Sequence, residues 1–295
     1  MMLDNLPSAE QIKLIITDVD GTLQNPEHEI SKYTVKIINE ILDKYDVSFV
    51  LATGKTRYST VDIRKSLHID NKPKCPAVHT NGCLIYNDKN ELIHEIFLDC
   101  QEIFDNLDFY ERIFKKKSIP YSYFLYCGDI CYTTDELYND ILSGFGEYIE
   151  IMNEKELFSK LKTGEIKCNK ICLFADASII EEYKQTIKDF MKNYENIEYT
   201  QAIPICSEVI PSKCNKGEAL KYIMQSLNLK PENVIAFGDG LNDKPMFEVA
   251  GYKYAMGNAL DELKEIATGV TKSNAEDGEA YILEQIFFKN RNNKK

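Results

Sequence analysis

Three short runs of this chain are almost wholly apolar, and each breaks off into polar residues. Ile12-Lys13-Leu14-Ile15-Ile16-Thr17 leads into Asp18-Val19-Asp20-Gly21-Thr22-Leu23. Val47-Ser48-Phe49-Val50-Leu51-Ala52 leads into Thr53-Gly54-Lys55, and Asn233-Val234-Ile235-Ala236-Phe237 into Gly238-Asp239-Gly240. A half-exposed strand alternates apolar and polar residues. A run this short with few polar breaks reads instead as a strand buried on both faces, as in a parallel sheet covered by helices. Helical spacing follows the first two runs. Ser31 offers an N-cap to a stripe of Val35, Ile38, Ile41 and Leu42 with Tyr45, and Val61, Ile63 and Leu67 form a second stripe. A third strand is expected around 76–79 and another at 252–256, and Leu220, Ile223, Met224 and Leu227 mark a helix over 217–227. Strands alternating with helices give βαβ units, hence an α/β chain with a Rossmann-like, doubly wound parallel-sheet core.

The stretch 85–207 has a different texture. It is rich in Tyr and Phe (Tyr121, Tyr123, Phe124, Tyr126, Tyr132), with strand-like runs at 91–98, 122–126 and 167–174 and amphipathic helices around 101–117, 135–145 and 178–194. We read it as a second α/β domain inserted into the first, so that the core is discontinuous, 1–84 plus 208–295. A chain of 295 residues accommodates two ordinary domains. The polar tail 289–295 is expected to fray.

Charge and cysteine usage narrow the partners. The net charge of −12 disfavours nucleic acid and anionic membrane surfaces, and Lys115-Lys116-Lys117 is too short a basic run to reverse that. The nine cysteines are odd in number and show no CxxC spacing. Cys127/Cys131 and Cys168/Cys172 sit four apart in apolar runs and read as buried thiols sharing one strand face. The four scattered histidines suggest no zinc site. The first residues carry no secretory pattern, and no stretch approaches the roughly 20 apolar residues of a membrane span. A reducing cytoplasm is the expected home, and a monomer or weak homo-oligomer the expected state.

The polar residues at the strand ends carry the chemistry. In an open α/β sheet the ligand crevice lies beyond the carboxyl ends of the strands, so Asp18 and Asp20, Thr53 and Gly54, and Asp239, Asn242 and Asp243 should meet at one rim. Like charges about 4 Å apart cost about 4 kcal/mol per pair at an effective dielectric near 20. A hard divalent cation with oxygen ligands, Mg²⁺, removes that cost, and Asp18 and Asp239 are the expected side-chain ligands. Lys216 opens the helix at 217–227, where the macrodipole disfavours a cation by roughly 0.3–1 kcal/mol. Neutralising Asp18 and an anionic ligand would explain it. Taken singly, each residue has an ordinary reading: Lys216 an exposed first-turn lysine, Thr53-Gly54 a plain turn, Asn242 a helix cap. Taken together they do not.

These residues resemble the haloacid dehalogenase-like superfamily. Asp18-Val19-Asp20-Gly21-Thr22-Leu23 matches its DxDGTL signature, Thr53-Gly54 is similar to its second motif, Lys216-Gly217 to its third, and Gly238-Asp239-Gly240-Leu241-Asn242-Asp243 to its GDGxND motif. The insert's position, Asn81-Gly82 before it and Asn274-Ala275-Glu276-Asp277-Gly278 near the end resemble the Cof-like phosphatases, whose large α/β cap sits there. Lys55 stands where many relatives carry Arg. The resemblance implies a Mg²⁺-dependent phosphomonoester hydrolase acting on small phosphorylated metabolites such as sugar phosphates, in two steps. Asp18 takes the phosphoryl group as an aspartyl-phosphate, and Asp20 is general acid and then base, lending its backbone carbonyl to the metal. Lys216, Thr53, Gly54 and Asn242 hold phosphate oxygens, and Asp243 orients Lys216 or a metal-bound water. A phosphoryl mutase of the same superfamily is the nearer alternative. A catalytically idle module that binds a partner through the cap groove is the more distant one.

Overall fold

β1 (Leu14–Thr17) is buried at every position because of where it lies. In the computed structural model, which describes residues 6–201 and 203–289, it is an interior strand of an eight-stranded sheet. The sheet also holds β2 (Ser48–Ala52), β3 (Ala77–His79), β4 (Leu84–Tyr86) and β5 (Leu92–Glu95). Late in the chain it adds β12 (Val234–Gly238), β13 (Tyr252–Ala255) and β14 (Gly269–Val270), in the order β14-β13-β12-β1-β2-β3-β4-β5. Strands β14 through β3 pair in parallel, and β4 turns back antiparallel on β3. The register sets Thr17 beside Leu51 and Phe237, so Asp18, Thr53 and Asp239 all leave the sheet at the same rim. The chain is therefore α/β with a parallel-sheet core and flanking helices.

Strand order grows outward from β1 in both directions. Right-handed crossovers then place α1 (Lys32–Lys44) on one face and α8 (Lys244–Val249) and α9 (Asp261–Ile266) on the other. α1 packs with α10 (Gly278–Phe287), whereas α7 (Lys216–Ser226) packs with α8. Ser31 caps α1 by accepting from Thr34 N at 3.0 Å, and Ile37, Ile38 and Ile41 form its buried stripe. A short α2 (Val61–Ser66) completes the helices of this unit. Each large apolar side chain buried here contributes roughly 1.5–3 kcal/mol.

The chain divides into two compact units. The first comprises the described residues up to Gly54, then Val61–His94, then Asn215 onward; the second comprises Lys55–Thr60 and Glu95–Cys214. The second has a sheet of six strands among the described residues, in the order β10-β11-β9-β6-β7-β8. Their ranges are β6 (Ser122–Cys127), β7 (Ile130–Thr133), β8 (Ile149–Ile151), β9 (Lys170–Phe174), β10 (Ile197–Thr200) and β11 (Cys206–Pro211). Pairing is antiparallel except between β7 and β8. Residues alternate between faces. Tyr123, Leu125, Leu173 and Val209 pack against α3 (Cys100–Phe114), α5 (Glu154–Thr163) and α6 (Ala177–Met191). Phe124, Tyr126, Cys131, Cys172, Phe174 and Cys206 line the opposite face with Leu142 of α4 (Asn139–Gly144).

The bounds of the units differ from the insert read at 85–207. β4 and most of β5 extend the first sheet, because the turn at Thr80–Gly82 folds the chain back on β3. The expected end at 207/208 falls inside β11. That strand's Ser207 and Glu208 look like loop residues in the sequence, yet both are buried. The cysteine reading also changes. Cys127 ends β6 and Cys131 lies in β7, with a turn at Gly128 (φ +64°) between them. Tyr126 pairs with Cys131 and Cys127 with Ile130, so the two thiols lie on neighbouring strands and opposite faces. All nine cysteines are free and seven are buried. Of the tail expected to fray, residues 290–295 lie outside the described residues.

Candidate active site

The site is assembled at the rim where β1, β2, β3 and β12 end. Asp18 follows β1 directly, its backbone N–H donating to Phe237 O, so the two central strands fix its position together. Lys216 is the first residue of α7, which begins there because the Asn215 side chain accepts from Glu218 N at 2.9 Å. The lysine side chain is fully buried. Its Nζ donates to Asp18 Oδ1 at 2.5 Å and to Asp243 Oδ1 at 2.6 Å. The ammonium thus lies between two carboxylates, where Asp18 and an anionic ligand are the partners expected from the sequence. Asp243 uses its other oxygen as well, with Oδ2 accepting from the backbone N–H groups of Asp239 and Gly240 at 2.9 Å each. Gly238 admits that approach, since a Cβ there would meet Asp243 Cβ at 2.6 Å.

Asp239 leaves β12 toward the same point. Thr22 Oγ1 donates to its Oδ1 at 3.1 Å, and Gly21, at φ +76°, has no Cβ to collide with its carboxylate. The carboxylates of Asp18, Asp239 and Asp243 each place an oxygen within 4.8 Å of the others. Three carboxylates against the one ammonium leave a formal charge of −3 + 1 = −2. The electrostatics follow from this crowding. Burial pushes the Asp18 carboxyl well above its usual range, the Lys216 ammonium pulls it down, and Asp243 and Asp239 raise it further. Burial and then Asp243 push Asp239 up to about 6. For Lys216 burial acts downward, but Asp18 and Asp243 outweigh it and hold the ammonium above its ordinary value.

The donor set fits a hard divalent cation. Only oxygens are offered, Oδ2 of Asp18 and Oδ2 of Asp239 are left over from the bonds above, and a charge of +2 would balance the cluster. Asp243, saturated by Lys216 and two backbone donors, is the least suited of the three to bind it.

The remaining expected residues lie at the same rim in two groups. Asp20 is two residues beyond Asp18, with its side chain about two-fifths exposed and His28 Nδ1 3.9 Å from its carboxylate. Thr53 is buried after β2; its N–H donates to Val78 O and its carbonyl accepts from Asn81 N. A Cβ on Gly54 would sit 3.0 Å from Asn81 Oδ1, the same atom to which Asn242 donates at 3.4 Å. Asn81 thus joins the second motif to the fourth, a role that its place in the sequence only hinted at. Thr22, inside the first motif, is a second such link, joining that motif to Asp239 of the fourth.

A second cluster of candidate ligands lies in the other unit, where Cys172, Cys206 and Glu208 each place a ligand atom within 4.8 Å of the others. The Lys170 ammonium, 2.8 Å from Glu208, already supplies a cation there.

Fold and site together define an α/β protein with an acidic crevice at the carboxyl edge of a parallel sheet. The profile of the haloacid dehalogenase-like hydrolases matches residues 15–283, and the chain belongs to that family. It is 33% identical to an uncharacterised hydrolase of Schizosaccharomyces pombe, over 96% of this chain and 93% of that one. It is 28% identical to the 5-amino-6-(5-phospho-D-ribitylamino)uracil phosphatase YwtE of Bacillus subtilis, over 93% and 98%. Among solved structures, a haloacid dehalogenase-like hydrolase from Bacteroides thetaiotaomicron superposes with a TM-score of 0.79 at 27% identity, covering 94% of this chain and all of that one. The protein is a phosphatase of this family. No helix among the described residues is long and apolar enough to cross a membrane.

Proposed function

We propose that the protein hydrolyses small organic phosphate monoesters, sugar phosphates among them, through an aspartyl-phosphate on Asp18 and with Mg²⁺ as its cation. The observation that carries this reading is the buried Lys216 ammonium held between Asp18 and Asp243, in a cluster that still keeps a formal charge of −2.

Asp18 attacks phosphorus through one of its carboxylate oxygens, and the new anhydride forms beside the fixed positive charge of Lys216. Asp20 gives a proton to the departing alkoxide, then takes one from the water that cleaves the acyl-phosphate. Its partial exposure suits a group that exchanges protons with solvent. Thr53, the Gly54 backbone, Lys216 and Asn242 hold phosphate oxygens, and Asn81 positions Asn242. Asp243 keeps Lys216 aimed at Asp18. Asp18, Asp239 and the Asp20 carbonyl would hold Mg²⁺, which supplies positive charge to the transferring group when bound.

The second unit, as an inserted cap, would close over the leaving group and set specificity. A relative acting on a phosphorylated ribitylaminouracil supports a metabolite of that size. Nine free thiols support a reducing cytoplasm. The test is hydrolysis of p-nitrophenyl phosphate with and without Mg²⁺, with Asp18→Asn as control and acid quenching during turnover. Phosphate should be trapped on the wild-type chain alone. Appreciable turnover by Asp18→Asn would remove Asp18 as the nucleophile.

A further inference from the structure

Glu279 is a buried carboxyl that the mechanism above does not use. It lies in the first turn of α10 and is almost wholly enclosed. Its place there is tightly set. A Cβ on Gly278 would strike the Lys272 carbonyl, and Thr271 Oγ1 donates to Gly278 O at 2.6 Å. Glu279 Oε2 lies 2.7 Å from Thr17 Oγ1, and that hydroxyl lies 2.8 Å from the backbone carbonyl of Asp18.

Counting hydrogens decides what this chain of contacts is. The Thr17 hydroxyl has one hydrogen and two oxygen neighbours at hydrogen-bond distance. The Asp18 carbonyl has no hydrogen to give. If Glu279 were ionised, its carboxylate would take the hydroxyl hydrogen, and the Asp18 carbonyl would face an oxygen lone pair. Its Oε1 is buried without a partner, and no cation pairs with it among the described residues. An ionised carboxyl so enclosed is costly, and the usual outcome is that it stays neutral. The α10 dipole favours the anion, but this effect is smaller than the loss of hydration. With a proton on Oε2 both contacts are satisfied.

We propose that Glu279 is a positioning residue that works as a neutral acid. Its O–H donates to Thr17 Oγ1, whose own hydrogen goes to the Asp18 carbonyl and fixes the peptide from which the phosphoryl-accepting carboxylate projects. The positioning role rests on the reading of Asp18 as nucleophile; the proton on Glu279 does not. Burial acts in the same direction, pushing the Glu279 carboxyl up to about 8 against a downward pull from the Thr17 hydroxyl. The other acids near this helix are engaged elsewhere, Asp277 with Ser31 and Thr34, and Glu284 with Tyr33.

The test compares wild type, Glu279→Gln, Glu279→Leu and Thr17→Val. Gln keeps a neutral donor, whereas Leu keeps the bulk and loses the donor. The infrared difference spectrum of wild type minus Glu279→Gln at pH 7 should show the carbonyl stretch of a protonated carboxyl, shifted in Thr17→Val. With p-nitrophenyl phosphate and Mg²⁺, Glu279→Gln should keep kcat close to wild type, while Glu279→Leu should lose about 10- to 100-fold in kcat with little change in KM. Absence of the protonated band overturns the proposal, as does a Gln variant impaired as severely as Leu or a Leu variant with wild-type kcat. The infrared arm involves no turnover, so it stands if Glu279→Leu fails to fold. If Asp18→Asn retains turnover, the nucleophile reading fails while the band still reports the proton.

Discussion

The Lys216 ammonium lies 2.5 Å from the Asp18 carboxylate, although 198 positions separate the two residues in the chain. Lys216 is the only cation bonded to the Asp18–Asp239–Asp243 cluster among the described residues. Lys216→Met should therefore change more than rate. Turnover should fall by about 10²–10³-fold as the charge beside the reacting carboxylate disappears. Without the ammonium the carboxyls hold their protons to higher pH when folded than when unfolded. Stability is then greatest in acid and is lost as pH rises through the folded values. Melting curves of this variant should show a larger drop between pH 5 and pH 8 than those of wild type; equal drops would contradict the charge-balance account.

Asp243 tests the same network from the other side. Its carboxylate serves Lys216 and two backbone N–H groups, all at the end of β12. Asp243→Ala leaves a buried ammonium with one partner and two amides with none, a loss of about 3–5 kcal/mol. Denaturant titration should show it as an early transition of the first unit. A midpoint unchanged from wild type would mean that water replaces the carboxylate without loss.

Much of this site was legible in the sequence because strands buried on both faces leave a near-continuous apolar run, and the residue after such a run faces the ligand crevice. Asp18, Thr53 and Asp239 are all marked in that way. Lys216 is legible only beside these: a cation in a first helical turn opposes the dipole, but taken alone it reads as an exposed lysine. What stayed hidden depends on distant partners. Glu208 breaks the apolar pattern of β11, and its ion pair with Lys170, one strand away, accounts for its burial. Glu279 finds Thr17 across 262 positions. Cys127 and Cys131 look like one strand because a turn through Gly128 and Asp129 is too short to interrupt the apolar run.

A cluster with a formal charge of −2 should gain stability from a divalent cation. At 100 times its dissociation constant, Mg²⁺ would add about 2.7 kcal/mol. Melting temperature should rise with added Mg²⁺ and return on chelation, and Asp239→Asn should blunt the rise. Protons compete for the same oxygens. With Asp239 pushed up to about 6 and Asp18 raised in the same direction, apparent affinity should fall as pH drops, by about tenfold per pH unit below 6 for each proton displaced. An affinity independent of pH between 5 and 7 would place the cation elsewhere.

Glu279 should leave its own mark on the stability curve. Burial pushes its carboxyl up to about 8 in the folded chain, whereas an unfolded glutamate ionises near its ordinary value. Between those two values the folded state holds a proton that the unfolded state has lost. Folding is then increasingly opposed as pH rises, by up to about 1.4 kcal/mol per pH unit for one such group, and the effect levels off above the folded value. Glu279→Gln has no proton to lose. Its melting temperature should consequently fall less than that of wild type between pH 5 and pH 9, with the two curves converging at the acid end. Parallel curves across that range would mean that Glu279 is ionised when buried, and the hydrogen count at Thr17 would have to be satisfied in some other way.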